Sequence, residues 1–137
     1  MTTRATGRCL CGAVTYETEI PEKPIYAGLC HCRDCQRYTG TAFASSVMVP
    51  KDGFKLEGEV KYFASKTERG TVMERGFCPT CGSSVLYRSD AWPDQYVLAA
   101  GTLDDPSLFK PRVNLFTRSA QEHVWHIDEL RKFEANP

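Results

Sequence analysis

Short segments in which apolar and polar residues alternate recur along most of the chain. The alternation is clear in AVTYETE (13–19), SVLYRS (84–89) and QYVLAAG (95–101), and turn residues such as Gly, Asp and Pro separate the segments. Because successive side chains of a strand point to opposite faces of a sheet, this period indicates strands with one buried face. The same pattern predicts five further strands, at 42–50, 60–65, 71–78, 112–116 and 123–127.

Helical periodicity is weak almost everywhere. Residues 32–40 (CRDCQRYTG) and 104–109 (DDPSLF) predict one or two helical turns each. Strands that follow one another without crossover helices favour antiparallel pairing. The sequence therefore predicts an all-β fold, arranged as a single domain over residues 1–137.

Composition and charge narrow the function classes. A chain of 137 residues with 42% hydrophobic content suits one core. Because 17 basic residues balance 17 acidic ones, we expect neither phosphate-dependent nucleic-acid binding nor a polybasic membrane patch. No apolar run approaches the roughly 20 residues that span a bilayer, and MTTRATGRCLCG lacks the apolar stretch of a signal peptide. We therefore expect a soluble, cytoplasmic protein.

The cysteines carry the main chemical information. Their number, seven, is odd, so they cannot all pair in disulfides, and in a reducing compartment they indicate metal ligands. They occur in three motifs, CLC, CHCRDC and CPTC, as Cys9, Cys11, Cys30, Cys32, Cys35, Cys78 and Cys81. A structural zinc takes four tetrahedral ligands. The simplest partition is one site with four thiolates and one with three.

The motifs CLCG (9–12) and CPTCG (78–82) are candidate halves of the four-thiolate site. Each ends in a glycine directly after its last cysteine, where a tight metal-binding turn often needs positive φ. Joined, they would fasten the first strand to the middle of the chain, and a structural zinc contributes on the order of 10 kcal/mol in small peptides. The alternative, a redox CxxC pair, expects a βαβ context that the chain lacks.

The CHCRDC motif (30–35) predicts the three-thiolate site. If the segment continues as a strand, Cys30 and Cys32 point to one face and His31 to the other, so we expect His31 to be hydrogen-bonded near the site. Zinc with three protein ligands and one open position is typical of catalytic sites. Either His123 or His126 is an alternative fourth ligand, which would close the site.

Three chemistries suit such a site. A deaminase needs a glutamate next to its zinc ligands, and this chain has none there. An exogenous thiol held as thiolate in the open position could attack an aldehyde to give a hemithioacetal. Three thiolates on Zn²⁺ leave a charge of about −1, which Arg33 and Arg37 could offset, unless they bind substrate carboxylates or lie solvated at the surface. The third alternative is a binding module with two structural metals.

Five motifs together resemble one known family. They are GRCLCGAVTY (7–16), CHCRDCQRYTG (30–40), GFCPTCGSSVLY (76–87), AGTLDDP (100–106) and KPRVNLF (110–116). Their order and spacing over about residues 7–133 resemble the glutathione-dependent formaldehyde-activating (GFA) family, which is related to centromere protein V. The resemblance implies an all-β, Mss4-like zinc fold.

The resemblance also implies roles for the thiols. Cys9, Cys11, Cys78 and Cys81 would hold a structural zinc, and Cys30, Cys32 and Cys35 a second, catalytic zinc whose open position receives glutathione. The implied activity is that of a carbon–sulfur lyase, which condenses formaldehyde and glutathione to S-(hydroxymethyl)glutathione. The implied partners are thus a glutathione-like thiol and an aldehyde. A non-catalytic zinc-binding interaction module on the same scaffold is the alternative function.

Several other residues are informative. Where the family commonly has Pro-x-x-His, this chain has PRVN, with Asn114 at the histidine position. For Asp104 and Asp105 we predict a turn and cap before Pro106 rather than carboxylates at the second zinc. Three aromatic residues are interpreted as packing residues rather than as a substrate platform, namely Tyr38, Trp92 and Trp125.

Overall fold

The computed structural model describes residues 1–137 and consists mainly of β-strands. The strands are β1 (Thr2–Arg8), β2 (Thr15–Pro21), β3 (Ala27–Cys30), β4 (Ala44–Pro50), β5 (Lys55–Glu57), β6 (Lys61–Lys66), β7 (Val72–Phe77), β8 (Ser84–Ser89), β9 (Gln95–Ala99) and β10 (Val113–Leu115). The one α-helix is α1 (Arg33–Thr39), and short 3-10 helices cover Ala100–Thr102, Pro106–Leu108, Thr117–Ser119 and Glu122–Glu129. The all-β prediction is confirmed.

The strands form two sheets. The smaller sheet has the order β1-β2-β5, and the larger one has the order β10-β3-β4-β9-β8-β7-β6. All neighbours pair antiparallel except β10 and β3, which are parallel. Strands β7, β8, β9, β4 and β3 are therefore adjacent in space, which brings the middle of the chain next to the CHCRDC motif.

Alternation along the strands builds two cores. In β2, every second residue is buried, starting with Tyr16. The main core contains thirteen buried residues, which are Ala5, Cys9, Val14, Tyr16, Ile20, Ala27, Val47, Val49, Cys78, Val85, Leu86, Leu98 and Leu103. A small core contains six, which are Cys30, Cys35, Ala44, Met48, Tyr87 and Val97. The main core thus includes cysteines of the CLC and CPTC motifs, and the small core includes cysteines of the CHCRDC motif.

Strands β1, β3 and β5 were not among the predicted ones. Strand β1, TTRATGR, consists mostly of polar residues, and only Ala5 and Gly7 are buried in it. Gly7 packs so closely on the ring of Tyr16 that an added Cβ would lie 2.2 Å from its hydroxyl oxygen. A strand whose inward residues are this small shows no hydrophobic alternation, so only its pairing with β2 reveals it.

The prediction of a strand at 123–127 was wrong. The segment HVWHI lies in the 3-10 helix Glu122–Glu129, with i→i+3 bonds at its two ends. Its apparent alternation does not form a ladder, because after the edge strand β10 the chain turns back over α1, where Gln36 binds Ser119 and Gln121. The short helices predicted at 32–40 and 104–109 are present as α1 and as Pro106–Leu108. None of the helices is long and apolar enough to cross a membrane.

Candidate metal centres

Four cysteines meet where two distant loops come together; we call them the four-thiol group. Cys9 and Cys11 follow β1, whereas Cys78 and Cys81 lie between β7 and β8. All four sulfurs lie within 4.8 Å of one another. The Sγ–Sγ distance is 3.6 Å between Cys9 and Cys11 and 3.8 Å between Cys11 and Cys78. At a Zn–S length of 2.3 Å, two tetrahedral ligands lie about 3.8 Å apart, so these donors fit a zinc ion.

Both loops turn tightly around their sulfurs. Gly12 and Gly82 have φ values of 82° and 77°, and their amides donate to the carbonyls of Cys9 and Cys78, respectively. This left-handed conformation is the reason for glycine after each motif. Ser83 ties the loops together, because its Oγ accepts a hydrogen bond from the amide of Leu10 at 3.0 Å. The same hydroxyl lies 3.2 Å from the sulfur of Cys81, and together with the backbone amides of Ser83 and Cys11 it lowers the pKa of that thiol to about 5.

The other three cysteines form the three-thiol group, Cys30, Cys32 and Cys35. Cys30 ends β3, Cys32 caps α1 with an extended backbone, and Cys35 lies in the first turn of the helix. The Cys35 amide donates to the sulfur of Cys32 at 3.3 Å. The three sulfurs lie within 4.8 Å of one another, and a strand end followed by a helix start is what places them there. The donor set suits zinc as well, with three of four ligands supplied.

Burial and charge differ among these three thiols. Cys30 and Cys35 are buried, whereas Cys32 is half-buried, so the group is reached from the side of Cys32. Hydrogen bonds from Cys30 and Cys35 lower the pKa of Cys32 to about 2, and the charge of Arg75 acts in the same direction. Hydrogen bonding to Cys30 and Cys32 raises the pKa of Cys35 above its usual range.

No histidine completes the three-thiol group. No histidine or carboxylate lies within 4.8 Å of all three sulfurs. His123 is exposed, and His126 is exposed and contacts Glu122 at 3.0 Å and Glu129 at 3.4 Å. Neither of the alternative fourth ligands therefore closes the site.

His31 points away from the thiols between which it lies in sequence. It is completely buried, and its ring packs at 5.4 Å from Phe43 and 5.6 Å from Trp125. Its Nε2 lies 2.9 Å from Oδ1 of Asn114. Since a carbonyl oxygen only accepts, Nε2 carries the proton. Asn114, at the position of the family histidine, therefore fastens β10 to the back of the site.

Arg33 and Arg37 lie on the exposed face of α1, whereas Cys35 lies on its buried face. Both are exposed, and Arg33 donates to Oε1 of the buried Gln36. They line a surface cleft of about 310 Å³ together with Gln36, Gly40, Thr41, Ala42 and Gln121. The buried cation associated with the thiols is instead Arg75 of β7, which is only 7% exposed.

Arg75 was missed at the level of sequence, although a signal was present. It pairs with Tyr87 of β8, so both side chains lie on the same face of the sheet, and Tyr87 belongs to the small core with Cys30 and Cys35. Met73, two residues before Arg75, packs against the same core. A charged residue at an inward position of a predicted strand was the available signal, because such residues are rarely buried without a role.

The remaining candidates have structural positions. Asp104 accepts from the Thr6 hydroxyl at 2.6 Å, and Asp105 caps a 3-10 helix by accepting from the Ser107 amide at 3.0 Å. Tyr38 and Trp92 pack against the small core, and the Tyr38 hydroxyl donates to a backbone carbonyl. The packing and capping interpretations of these residues hold.

Comparisons with known proteins agree with this geometry. Among solved structures, a Rhodobacter sphaeroides protein is similar in fold, with a TM-score of 0.59 and 24% identity, over 80% of this chain and 98% of that chain. No curated protein matches the sequence. A family model described as glutathione-dependent formaldehyde-activating enzyme matches residues 4–119. This match and the two sheets confirm the expected all-β, Mss4-like fold.

Proposed function

The chain belongs to the glutathione-dependent formaldehyde-activating enzyme family, and from this premise we propose that it is a zinc-dependent carbon–sulfur lyase. Its substrates would be glutathione or a similar thiol and an aldehyde such as formaldehyde. In the forward direction the thiol sulfur bonds to the carbonyl carbon, the C=O π bond breaks, and the oxygen receives the proton that the thiol loses. The product is a hemithioacetal, S-(hydroxymethyl)glutathione for the parent pair.

One observation carries this proposal. The three-thiol group supplies three sulfur donors, and no histidine, further cysteine or carboxylate lies close enough to all three to offer a fourth. The four-thiol group, by contrast, is a complete tetrahedral set. We therefore assign a structural zinc to Cys9, Cys11, Cys78 and Cys81 and a second zinc with an exchangeable position to Cys30, Cys32 and Cys35.

The protein residues around the second site suit this chemistry. Zinc bound there would supply a position that keeps an incoming thiol deprotonated, the nucleophilic form. Arg75 places a buried positive charge near thiolates whose combined charge exceeds that of the cation. Tyr26, Tyr38 and Trp92 pack against the small core and restrict the access of water to it. Access remains on the side of Cys32, the least buried ligand.

Titration of glutathione into the cobalt-substituted protein tests the proposal. Entry of a fourth thiolate should change the sulfur-to-cobalt charge-transfer bands with a saturable dependence on glutathione. S-methylglutathione is the matched ligand control, since it lacks a free thiol and should leave the spectrum unchanged. Cys35→Ser is the protein control, and its remaining cobalt at the four-thiol group should not respond.

The alternative function predicts a different result. In a non-catalytic interaction module, millimolar glutathione would leave the cobalt spectrum of the intact protein unchanged. Formation of S-(hydroxymethyl)glutathione from formaldehyde, followed by NMR, would then equal the rate without protein. That pair of results would exclude the lyase.

A further inference from the structure

Unpaired polar groups collect around the three-thiol group. Five buried side-chain nitrogen or oxygen atoms have no hydrogen-bonding partner in the protein, and they are Thr18 Oγ1, Tyr26 Oη, His31 Nδ1, Arg75 Nε and Tyr87 Oη. Tyr87 is part of the small core with Cys30 and Cys35, and Tyr26 packs against that core. Arg75 is the cross-strand neighbour of Tyr87. Three of the five unpaired atoms therefore belong to residues at or next to the small core that contains Cys30 and Cys35.

Of these three residues, Tyr87 and Arg75 are the more deeply buried. They are 4% and 7% exposed, respectively. The Tyr87 ring meets the Tyr38 ring edge-on at a centroid distance of 5.1 Å, which fixes its orientation. Arg75 is held by one bond, from Nη1 to the Ser65 hydroxyl at 2.8 Å, which leaves Nε–H free. Both groups are thus held in place and still have a donor to offer.

The chemistry of these groups selects an oxygen atom as their ligand. A guanidinium only donates hydrogen bonds, and a phenol at neutral pH is a ready donor. Arg75 forms no ion pair with a carboxylate. Glu74, the acidic residue next to it in the sequence, forms an ion pair with Arg88 instead. A buried cation and phenol donors beside thiolates suit an oxygen on which negative charge develops. They do not suit a second cation.

We propose that the Tyr87 hydroxyl and the Arg75 Nε–H, assisted by the Tyr26 hydroxyl, bind the oxygen of the thiol–aldehyde adduct. This inference rests on the proposed lyase function and names the residues that recognise the aldehyde half of the substrate. As the C–S bond forms, the electron pair of the C=O π bond moves to the oxygen, and the three donors stabilise the resulting charge. The proton lost by the thiol then completes the hydroxyl, and the three donors keep their own protons.

A pair of small thiols provides the probe. Ethanethiol and 2-mercaptoethanol both offer a thiolate, but only the second carries an oxygen, one carbon farther from sulfur than in the adduct. In the cobalt-substituted protein, we expect 2-mercaptoethanol to bind about tenfold tighter than ethanethiol, the ratio that one good hydrogen bond supplies. Tyr87→Phe should remove this preference and leave the affinity for ethanethiol within about twofold.

Matched variants guard against effects on folding. The Tyr87 hydroxyl has no partner in the protein, so its removal breaks no internal hydrogen bond. Tyr96→Phe is the control, because Tyr96 packs against the main core next to Phe54 and should keep the full preference. Tyr26→Phe is the second variant, for which we expect a smaller loss of preference. Circular dichroism and a count of two metal ions per chain would verify that each variant is folded.

The outcomes separate this inference from the proposed function. Equal affinity for the two thiols in the unmodified protein, or a preference that survives in Tyr87→Phe, overturns the oxygen site and leaves the thiol position intact. If neither thiol nor glutathione alters the cobalt spectrum, the proposed function fails, and the inference fails with it. Loss of the preference in Tyr87→Phe but not in Tyr96→Phe supports both.

Discussion

The two cysteine groups use the same donor atoms but are built in different ways. The four-thiol group joins loops that lie 67 positions apart, counted from Cys11 to Cys78, and two of its sulfurs are part of the main core. The three-thiol group comes from one local stretch, a strand end and the first turn of a helix. A metal at the first group would therefore close a long loop, whereas one at the second would be added to a segment that neighbouring contacts already hold.

The two cysteine groups also differ in how completely the polar groups around them are hydrogen-bonded. Around the four-thiol group, Ser83 and the backbone form hydrogen bonds within and between the two loops. Neither loop contains a buried polar side-chain atom without a hydrogen-bonding partner. Around the three-thiol group, the hydroxyls of Tyr87 and Tyr26 and the Nε–H of Arg75 have no partner in the protein. Four sulfur ligands whose surroundings are fully hydrogen-bonded suit a structural role. Three sulfur ligands surrounded by unpaired hydrogen-bond donors suit the binding of a ligand. The following predictions test this contrast.

The largest expected effect comes from breaking the four-thiol group. Cys78→Ser removes a completely buried ligand, and the loss of a structural zinc costs on the order of 10 kcal/mol. Since whole domains are stable by only about 5–15 kcal/mol, we expect the variant to be largely unfolded at 25 °C. Circular dichroism, thermal unfolding and metal analysis would measure this.

The matched substitution at the other group is Cys35→Ser. This variant should stay folded and retain one metal ion per chain instead of two, because its site does not connect distant loops. Unfolding of both variants to the same extent would contradict the division into a structural and an exchangeable site. Retention of two ions in Cys35→Ser would contradict it as well.

An intermediate effect is expected behind the three-thiol group. Asn114→Ala leaves the Nε2–H of the buried His31 without an acceptor, which costs about 1–3 kcal/mol. Urea denaturation should show this loss, whereas the metal count should remain two, since His31 is not a ligand. Asn136→Ala, at an exposed position near the C-terminus, is the control and should be neutral. Loss of a metal ion in Asn114→Ala would show that the His31–Asn114 pair holds the site directly.

The smallest effect is expected for Ser83→Ala at the four-thiol group. Loss of the bond from the Leu10 amide costs about 0.5–1.5 kcal/mol. The Ser83 hydroxyl is the largest of the causes that together lower the pKa of Cys81 to about 5, so its removal raises that pKa. Because protons compete with the metal for thiolates, the variant should release the structural ion at higher pH than the unmodified protein.

An acid titration followed by metal analysis would measure this shift. Ser65→Ala is the comparison at the other region, since it removes the hydroxyl that holds Arg75 and should leave release from the four-thiol group unchanged. An unchanged release pH in Ser83→Ala would show that the Ser83 hydroxyl does not tune the ligand.

Much of the site could be predicted because its ligands come in short motifs. Spacing alone placed Cys30, Cys32 and Cys35 together and turned His31 away, since side chains alternate along a strand. The glycines after CLC and CPTC indicated matching turns, and the structure brings these two loops together. The strand predicted at 123–127 failed because alternation over five residues does not reveal whether the segment runs along a sheet edge or, as here, turns away over α1.

The local sequence was thus enough for the cysteine partition, most strands and the helix after Cys32, since each depends on residues a few positions apart. The donors Tyr26, Arg75 and Tyr87 come from three separate regions, and only the order β3-β4-β9-β8-β7 assembles them beside the thiols. Burial leaves these groups without water as a partner, and burial depends on what the rest of the chain packs over them. That is why the cysteine groups that could hold metal ions were evident from the motifs, whereas the residues proposed to bind the substrate oxygen became evident only in the folded protein.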